Sequence, residues 1–209
     1  MSTPTFIYVE GSVAAGKTQL LTQLSAKFPQ KVHVEFEPLE IWQNYRNKYN
    51  LLQLLYLNAK EFALKFQIIA QVTQSQRESR AQLIEKDFVF FERSIRTQQI
   101  FIETLFNIGD ISELDYFILE DLYKLTKDEI KNYKVIYLRT SPETCLQRVK
   151  KRGRPEESKV SQSYLEMLHL AHDKWLLGLE NCLVLDGNLP TSELVNIISG
   201  EFNLELCTV

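Results

Sequence analysis

Five short apolar segments recur along the chain, and stretches with helical spacing of apolar positions separate them. The apolar segments are residues 6–9, 32–35, 88–91, 135–138 and 182–185. Alternation of this kind is typical of a parallel sheet with helices packed on both of its faces. The pattern therefore predicts an α/β fold with a five-stranded parallel sheet, and ligands are expected beyond the carboxyl ends of the strands.

The stretch between the second and third apolar segments is too long for a simple crossover and predicts an extra helical layer, with its longest helix over residues 60–85. One face of that layer alternates small residues with amides, which leaves room for a flat ligand. The residues on this face are Tyr56, Ala63, Gln67, Ala70 and Gln74. Phe66 and Trp42 supply aromatic walls. The alternative is that both glutamines simply face solvent.

A glycine-rich motif follows the first predicted strand directly. Residues 11–18 match G-x-x-x-x-G-K-[ST] and precede a helical stretch over residues 19–28. Such loops turn backbone N–H groups around a phosphate, and the following helix adds its N-terminal dipole. The predicted phosphate-binding residues are Gly11, Ser12, Ala14, Ala15, Gly16, Lys17 and Thr18. The Thr18 hydroxyl is expected on Mg²⁺, whereas a glycine turn that caps an ordinary helix is the plainer alternative.

Charged side chains follow the second and third strands. Glu37 lies just after one strand, and Glu92 and Arg93 follow the other. A carboxylate at this place can orient an acceptor hydroxyl and take its proton, while a second carboxylate helps to hold magnesium. We therefore expect Glu37 to be catalytic and Glu92 to be a metal ligand. The alternative is that these are solvated strand ends and helix caps.

A basic run over residues 148–154 carries five positive charges. Arg148 and Arg152 lie one helical turn apart, and Gly153 permits a bend that brings Arg154 over a nucleotide as a lid. Arginines of this kind stabilise charge on a transferring phosphoryl group. A nucleic-acid or nuclear-import patch and a solvated helix end are the alternatives.

Composition narrows the possible partners and compartment. The 209 residues carry 24 Lys+Arg against 27 Asp+Glu, a net charge of −3, which argues against wholesale binding to nucleic acid or an anionic membrane. No apolar run approaches the length of a membrane span. The three cysteines, Cys145, Cys182 and Cys207, form no C-x-x-C pair, which favours a reducing compartment. We expect a cytoplasmic protein without nucleic-acid or membrane partners.

Taken together, these motifs resemble the deoxyribonucleoside kinase family, which includes the thymidine kinase 2-like and deoxycytidine kinase-like enzymes. The residues that carry the resemblance are 11–18, Glu37, Trp42, Phe66, Gln67, 92–94, 152–154 and Glu157. The resemblance implies a P-loop kinase fold that forms one domain over residues 1–209, with a helical LID at about 148–160. It also implies ATP-dependent phosphorylation of the 5′-hydroxyl of a deoxyribonucleoside.

The same resemblance implies roles for individual residues. Glu37 corresponds to the general base, and Arg93 to the residue that contacts both that base and the reacting oxygen. The remaining counterparts hold the sugar 3′-hydroxyl (Tyr56, Glu157), pair with the base (Gln67), pack on the nucleoside (Trp42, Phe66) and embrace the donor phosphates (Arg148, Arg152, Arg154). Members of the family are typically homodimers that are inhibited by the triphosphate end product.

The sequence departs from the family where the base is read. Members that prefer deoxycytidine or deoxyguanosine carry an arginine and an aspartate, and thymidine-type members carry a methionine and an alanine, where this chain has Gln74 and Gln98. This neutral pair beside the small Ala70 favours thymidine and deoxycytidine as substrates. Counting along the chain places Ile102 opposite Phe66, with Phe101 one step away. The chain shows no transit-like leader, which favours a cytoplasmic over a mitochondrial member.

Two other functions share part of this pattern. A nucleoside monophosphate kinase has a similar loop and lid, but its charged acceptor would be repelled by Glu37. Arg46 and Lys48 could supply the cations that such an acceptor needs. A regulatory nucleotide switch fits the loop but leaves Glu37 and Gln67 without roles.

Overall fold

The computed structural model describes residues 4–127, 130 and 132–204, so Cys207 lies outside the described residues. It contains five strands: β1 (Thr5–Glu10), β2 (Val32–Glu35), β3 (Phe88–Glu92), β4 (Tyr133–Arg139) and β5 (Cys182–Asp186). The strands are all parallel, in the order β2-β3-β1-β4-β5. The predicted five-stranded parallel α/β fold is confirmed.

Helices connect the strands. They are α1 (Lys17–Lys27), α2 (Leu39–Gln43), α3 (Leu51–Leu57), α4 (Ala59–Ala81), α5 (Thr97–Asn107), α6 (Glu113–Thr126), α7 (Pro142–Arg152), α8 (Gln162–Leu176) and α9 (Thr191–Glu201), with a short 3₁₀ helix over Pro155–Lys159. The segment 148–160 therefore consists of the end of α7 and the 3₁₀ helix, separated by a bend at Gly153 and Arg154, where Gly153 adopts the left-handed conformation at φ 64°.

The central strands of the sheet are buried on both faces, as expected for a parallel sheet with helices on either side. Neighbouring residues of β1 point in opposite directions, so that Ile7 packs with Leu20 and Leu24 of α1. Tyr8 packs on the opposite face, in a cluster that contains Ala81 of α4. The central strand is thus held in register by apolar contacts from both sides.

The predicted extra helical layer is present, and α4 is its longest member. The helix begins one residue before the predicted start and ends at Ala81, four residues before the predicted end. It stops because the amides of Leu83 and Ile84 bond to the carbonyls of Arg80 and Ala81 in tight turns, and Ile84 then packs against the core. A separate apolar cluster joins α4 to α2, α3, α5 and α6.

Within the described part of the chain, no helix combines the length and the apolar character that a membrane crossing requires. Cys145 and Cys182 are both free thiols, and burial raises the pKa of each. These two cysteines therefore contribute apolar packing rather than a covalent cross-link.

Candidate active site

The loop between β1 and α1 has the backbone shape of a phosphate cradle, and we call residues 11–18 the donor cradle. Gly11 and Gly16 adopt φ values of 143° and 110°. A Cβ on Gly11 would lie 2.6 Å from the carbonyl oxygen of Leu138, so no larger residue fits there. The cradle therefore requires glycine at this position for two separate reasons, its conformation and its contact with β4.

Lys17 lies buried beneath the donor cradle at the N-terminus of α1. Its Nζ donates to the carbonyl oxygens of Gly11 and Ser12, at 3.1 and 2.8 Å. Burial, followed by the nearby Arg93 charge, lowers the pKa of Lys17 to about 8. The hydroxyl of Ser12 is buried without a hydrogen-bond partner. An anion in the cradle would satisfy these polar groups, which fits the predicted phosphate site.

Two oxygen groups meet beside the cradle. The Thr18 hydroxyl donates to Oε1 of Glu92, with 2.6 Å between the two oxygens. A hydroxyl and a carboxylate are hard oxygen ligands of the kind that Mg²⁺ accepts while it keeps several waters. The residues present therefore fit the predicted magnesium site.

The charged residues after β2 and β3 come together at the cradle. Arg93 Nε lies 2.9 Å from Oε1 of Glu37, and its Nη1 donates to the carbonyl of Gly11 at 2.8 Å. Arg93 itself adopts φ 61°, which is uncommon for a residue other than glycine. The two predicted catalytic residues therefore form one pair that is tied directly to the donor cradle.

A cavity of about 910 Å³ runs from the donor cradle to α4. We call its far end, lined by Glu37, Trp42, Tyr56, Phe66 and Gln67, the acceptor pocket. The rings of Trp42 and Phe66 pack edge to face, with 5.3 Å between their centroids. The Trp42 indole N–H donates to Thr73 Oγ1 at 3.0 Å. Oε1 of Gln67 is buried without a partner. The pocket thus combines aromatic walls with an amide whose oxygen is unsatisfied.

The structure separates the predicted base-reading residues. Gln98 lines the cavity, whereas Ala70 and Gln74 are buried behind its wall. Both amide atoms of Gln74 lack partners. The sequence left open whether Phe101 or Ile102 faces the ligand: Phe101 lines the cavity, whereas Ile102 packs in the apolar cluster of α4. One residue along a helix turns a side chain by about 100°, which is enough to exchange pocket for core.

The arginines of the basic run all line the cavity, but they have different bonding partners. Arg152 and Arg154 both pair with the buried Glu157, the latter at 3.4 Å. Arg148 donates to the carbonyls of Ala15 and Gly187, at 2.7 and 2.9 Å, and so joins the cradle to the end of β5. All four residues line the cavity. The basic run and the cradle therefore share one wall.

Tyr56 lies in the same cavity as Glu157. The pKa of Tyr56 is raised by burial, by Tyr164 and then by Glu157, so the phenol stays protonated and can donate a hydrogen bond. A phenol and a carboxylate in one wall provide a donor and an acceptor for a hydroxyl group.

Sequence reasoning missed several further wall residues, among them Leu55, Lys151 and Tyr164. Leu55 belongs to a short apolar run that looks like ordinary core, and Tyr164 lies far along the chain on α8. Lys151 stands within the basic run, and its charge was the one available signal. Apolar pocket walls and apolar core share the same sequence pattern, so only the fold distinguishes them.

A phosphate loop lies at the carboxyl ends of the strands, and a carboxylate–arginine pair lies beside it in the same cavity. This combination defines the class of P-loop kinases. The chain belongs to the deoxynucleoside kinase family, whose profile matches residues 7–204.

Similar proteins include "Thymidine kinase 2, mitochondrial" of Homo sapiens, 38% identical over 174 residues, which cover 82% of this chain and 64% of that protein. "Deoxycytidine kinase 2" of Gallus gallus is 34% identical over 81% of this chain and 73% of its own length. "Deoxycytidine kinase" of Homo sapiens is 32% identical over 82% of this chain and 75% of its own length. The chain thus spans 64% of the length of the two thymidine kinase 2 sequences and 73–75% of the length of these deoxycytidine kinases.

Proposed function

We propose that this protein transfers the γ-phosphoryl group of ATP to the 5′-hydroxyl of a deoxyribonucleoside, giving the 5′-monophosphate for nucleotide salvage. The observation that carries the proposal is the Glu37–Arg93 pair, which joins the donor cradle through the carbonyl of Gly11 and faces the acceptor pocket. A neutral hydroxyl is the acceptor that a carboxylate at this place favours, because Glu37 can accept its proton without charge repulsion.

The pair supports a division of work within the transfer. Glu37 orients the 5′-hydroxyl and accepts its proton, and Arg93 holds the Glu37 carboxylate and faces the reacting oxygen. The transition state of phosphoryl transfer is largely dissociative, so positioning counts for as much as proton removal. Lys17, beneath the cradle, stabilises charge on the terminal phosphates.

Magnesium completes the donor site in this proposal. Thr18 and Glu92 would hold it, and the ion would neutralise charge on the phosphates when it is bound. The lid, residues 148–160, brings Arg152 and Arg154 over the same phosphates. In the structure these two arginines are held by Glu157, so ATP competes with a carboxylate for them.

The acceptor pocket supports a nucleoside as the ligand. Tyr56 and Glu157 offer a donor and an acceptor to the sugar 3′-hydroxyl, and the unsatisfied amide of Gln67 pairs with the base. Trp42, Phe66 and Phe101 supply apolar walls for the flat ring.

We propose a pyrimidine, thymidine or deoxycytidine, as the preferred base. Gln98, which lines the wall, is a neutral amide, and the buried residues Gln74 and Ala70 add no charge. A neutral pair supplies no charged contact to the additional edge of a purine.

A monophosphate acceptor is less well supported by the same geometry. Arg46 and Lys48 are exposed and lie against the rings of Tyr45 and Tyr49 rather than in the cavity wall. These two side chains are therefore not placed to neutralise a charged acceptor in the pocket.

The proposal extends to assembly and regulation. Exposed apolar residues on α6, Leu114, Phe117, Ile118 and Leu125, support a homodimer, since patches of this kind commonly mark protein interfaces. Because the cradle and the acceptor pocket form one cavity, a deoxynucleoside triphosphate could occupy both and inhibit the enzyme. Two free cysteines are in keeping with a cytoplasmic location.

A radiometric screen tests the proposed function. The four deoxynucleosides and the four deoxynucleoside monophosphates are each incubated with labelled ATP, magnesium and the protein. We expect label in thymidine or deoxycytidine monophosphate. Label only in diphosphates would establish the monophosphate kinase instead, and slow ATP hydrolysis without any labelled product would indicate a nucleotide switch.

A further inference from the structure

Arg77, near the end of α4, lies outside the cavity wall but contacts the backbone on which both catalytic residues stand. The residue is 7% exposed. Nη1 donates to the carbonyls of Glu35 and Glu92, at 3.2 and 2.9 Å, and Nη2 donates to the carbonyl of Arg93 at 2.6 Å. One guanidinium thus bridges the carboxyl ends of β2 and β3.

The bridge lies where the sheet stops holding these strands together. The β2–β3 ladder ends at the pair of Glu35 and Phe91, and the β1–β3 ladder ends at Val9 and Glu92. Glu37 stands two residues beyond the end of β2, and Arg93 stands one residue beyond the end of β3. With the ladder finished, the Arg77 guanidinium supplies hydrogen bonds that fix the distance between the two strand ends.

Arg93 depends on this support more than its neighbours do. At φ 61° its backbone is in a conformation that a side chain disfavours, and such conformations persist only where several contacts determine them. The Arg93 amide donates to the Val9 carbonyl at 3.0 Å, and the Arg93 carbonyl accepts from Arg77. This backbone conformation accompanies the Arg93 contacts with Glu37 and Gly11.

Glu78, the next residue of α4, holds the other end of residues 92–95. The carboxylate of Glu78 is buried and accepts from the amide of Ile95 at 2.7 Å and from the Tyr8 hydroxyl at 3.1 Å. Residues 92–95 are therefore held at both ends by consecutive side chains of α4. The same helix carries Phe66 and Gln67 in the acceptor pocket.

We infer that Arg77 is a positioning residue for phosphoryl transfer: its planar fork joins the ends of β2 and β3 and so sets Glu37 against Arg93 without touching substrate. A lysine cannot replace it fully, because one ammonium nitrogen cannot take the place of both Nη1, which bridges the two strands, and Nη2, which holds the Arg93 carbonyl. The inference rests on the proposed function, since it assigns a role within that reaction.

The test compares Arg77→Met with Arg80→Met, an exposed arginine three residues later on the same helix. Activity is measured per folded molecule well below the unfolding midpoint, together with KM for ATP and for the preferred nucleoside. We expect Arg77→Met to lower kcat by about 10–100-fold with both KM values within about threefold, because small misplacements of catalytic groups reduce the rate strongly. Arg80→Met should retain nearly the wild-type kcat.

Two further variants separate positioning from general support. Arg77→Lys should recover part of the lost kcat, and if Arg77→Met fails to fold, Arg77→Lys against Arg80→Lys carries the comparison. In an Arg93→Met background, Arg77→Met should lower kcat by less than about threefold, because residues that act as a unit are not additive.

Equal kcat values for matched Arg77 and Arg80 variants, a change confined to KM, or full additivity with Arg93→Met would each overturn the inference while the wild-type protein still phosphorylates nucleosides. A wild-type protein that turns over no nucleoside would overturn the proposed function, and this inference with it.

Discussion

The donor cradle and the acceptor pocket face each other across one cavity, yet they are built in different ways. The cradle is one contiguous stretch, residues 11–18, whose shape depends on two glycines and on the start of α1. The acceptor pocket takes its residues from four successive elements, the end of β2 and α2, α3 and α4, so that its lining is spread over residues 37–67 rather than one short loop.

The difference extends to how polar groups are satisfied. In the cradle, the Lys17 charge already has partners, because Nζ donates to two carbonyls of its own loop, although the Ser12 hydroxyl is buried without a partner. In the acceptor pocket, the Gln67 carbonyl oxygen is buried and unpaired. An unpaired buried group costs stability until a ligand pairs with it, and selective recognition depends on this cost. From this comparison we expect residues of the cradle to govern the rate of phosphoryl transfer, and residues of the acceptor pocket to govern which substrate is bound.

The strongest test of the rate side of this comparison is Lys17→Ala. We expect turnover to fall by about 10³–10⁵-fold, the range for a cation that acts on a transferring phosphoryl group. Nucleoside binding, measured by calorimetry without ATP, should stay within a few-fold of wild type. Lys27→Ala, on the exposed end of the same helix, serves as the control. Full activity in Lys17→Ala would contradict the assignment of the cradle.

Glu37 stands between the two regions, and Glu37→Gln tests whether it belongs to the chemistry. Turnover should fall by about 10²–10⁴-fold, the usual contribution of a general base, while the nucleoside Kd changes little. Glu35→Gln is the matched control, because Glu35 is two residues away and pairs with His33 outside the cavity wall. A near wild-type rate for Glu37→Gln would remove it as the base.

Gln67→Ala tests the choice side of the comparison. We expect the nucleoside KM to rise by about 10–100-fold and the preference among bases to weaken, since the variant loses a paired polar contact. Competition assays with the four deoxynucleosides measure both effects. Gln76→Ala, at an exposed position of the same helix, should leave selectivity unchanged. An unaltered selectivity profile in Gln67→Ala would mean that the base binds elsewhere.

The smallest expected effect is a pH dependence confined to the donor side. The pKa of Lys17 is about 8 in the free protein, so its positive charge is present below that pH and is lost above it. Bound phosphates favour the charged form, and the Kd of a non-hydrolysable ATP analogue should therefore rise by about tenfold for each pH unit above 8. Lys17→Arg should bind with little pH dependence, and the nucleoside Kd serves as a reference. A flat wild-type profile from pH 7 to 9.5 would contradict this role.

Most of the fold could be predicted from the chain. Short apolar segments such as β1 and β3 alternate along the chain with stretches that have the helical spacing of apolar residues. This local pattern indicates which segments are strands and which are helices, and their alternation predicts a parallel sheet. The end of α4 was misplaced because its last apolar residues continue the helical pattern, while turns at Leu83 and Ile84 end the helix in favour of core contacts. Helix ends depend on tertiary packing more than on local pattern.

The candidate site divides in the same way. The motif at residues 11–18 and the charged residues after β2 and β3 were predictable, because the carboxyl ends of parallel strands meet at one edge of the sheet. It was not predictable that Phe101, and not Ile102, lines the cavity, because the rotation of α5 is determined by its packing on α4 and α6. Nor was the position of Gln74, which shares a helical face with Gln67 yet lies behind the wall.

The sequence by itself determined the class of fold, the donor cradle and the identity of the charged groups, because each depends on short-range pattern or on the common edge of a parallel sheet. Only the tertiary structure decided which side chains meet: Arg93 against Glu37, Arg148 against the cradle, and Arg77 across two strand ends. Contacts between distant segments depend on how helices rotate and pack, and no local pattern encodes that rotation.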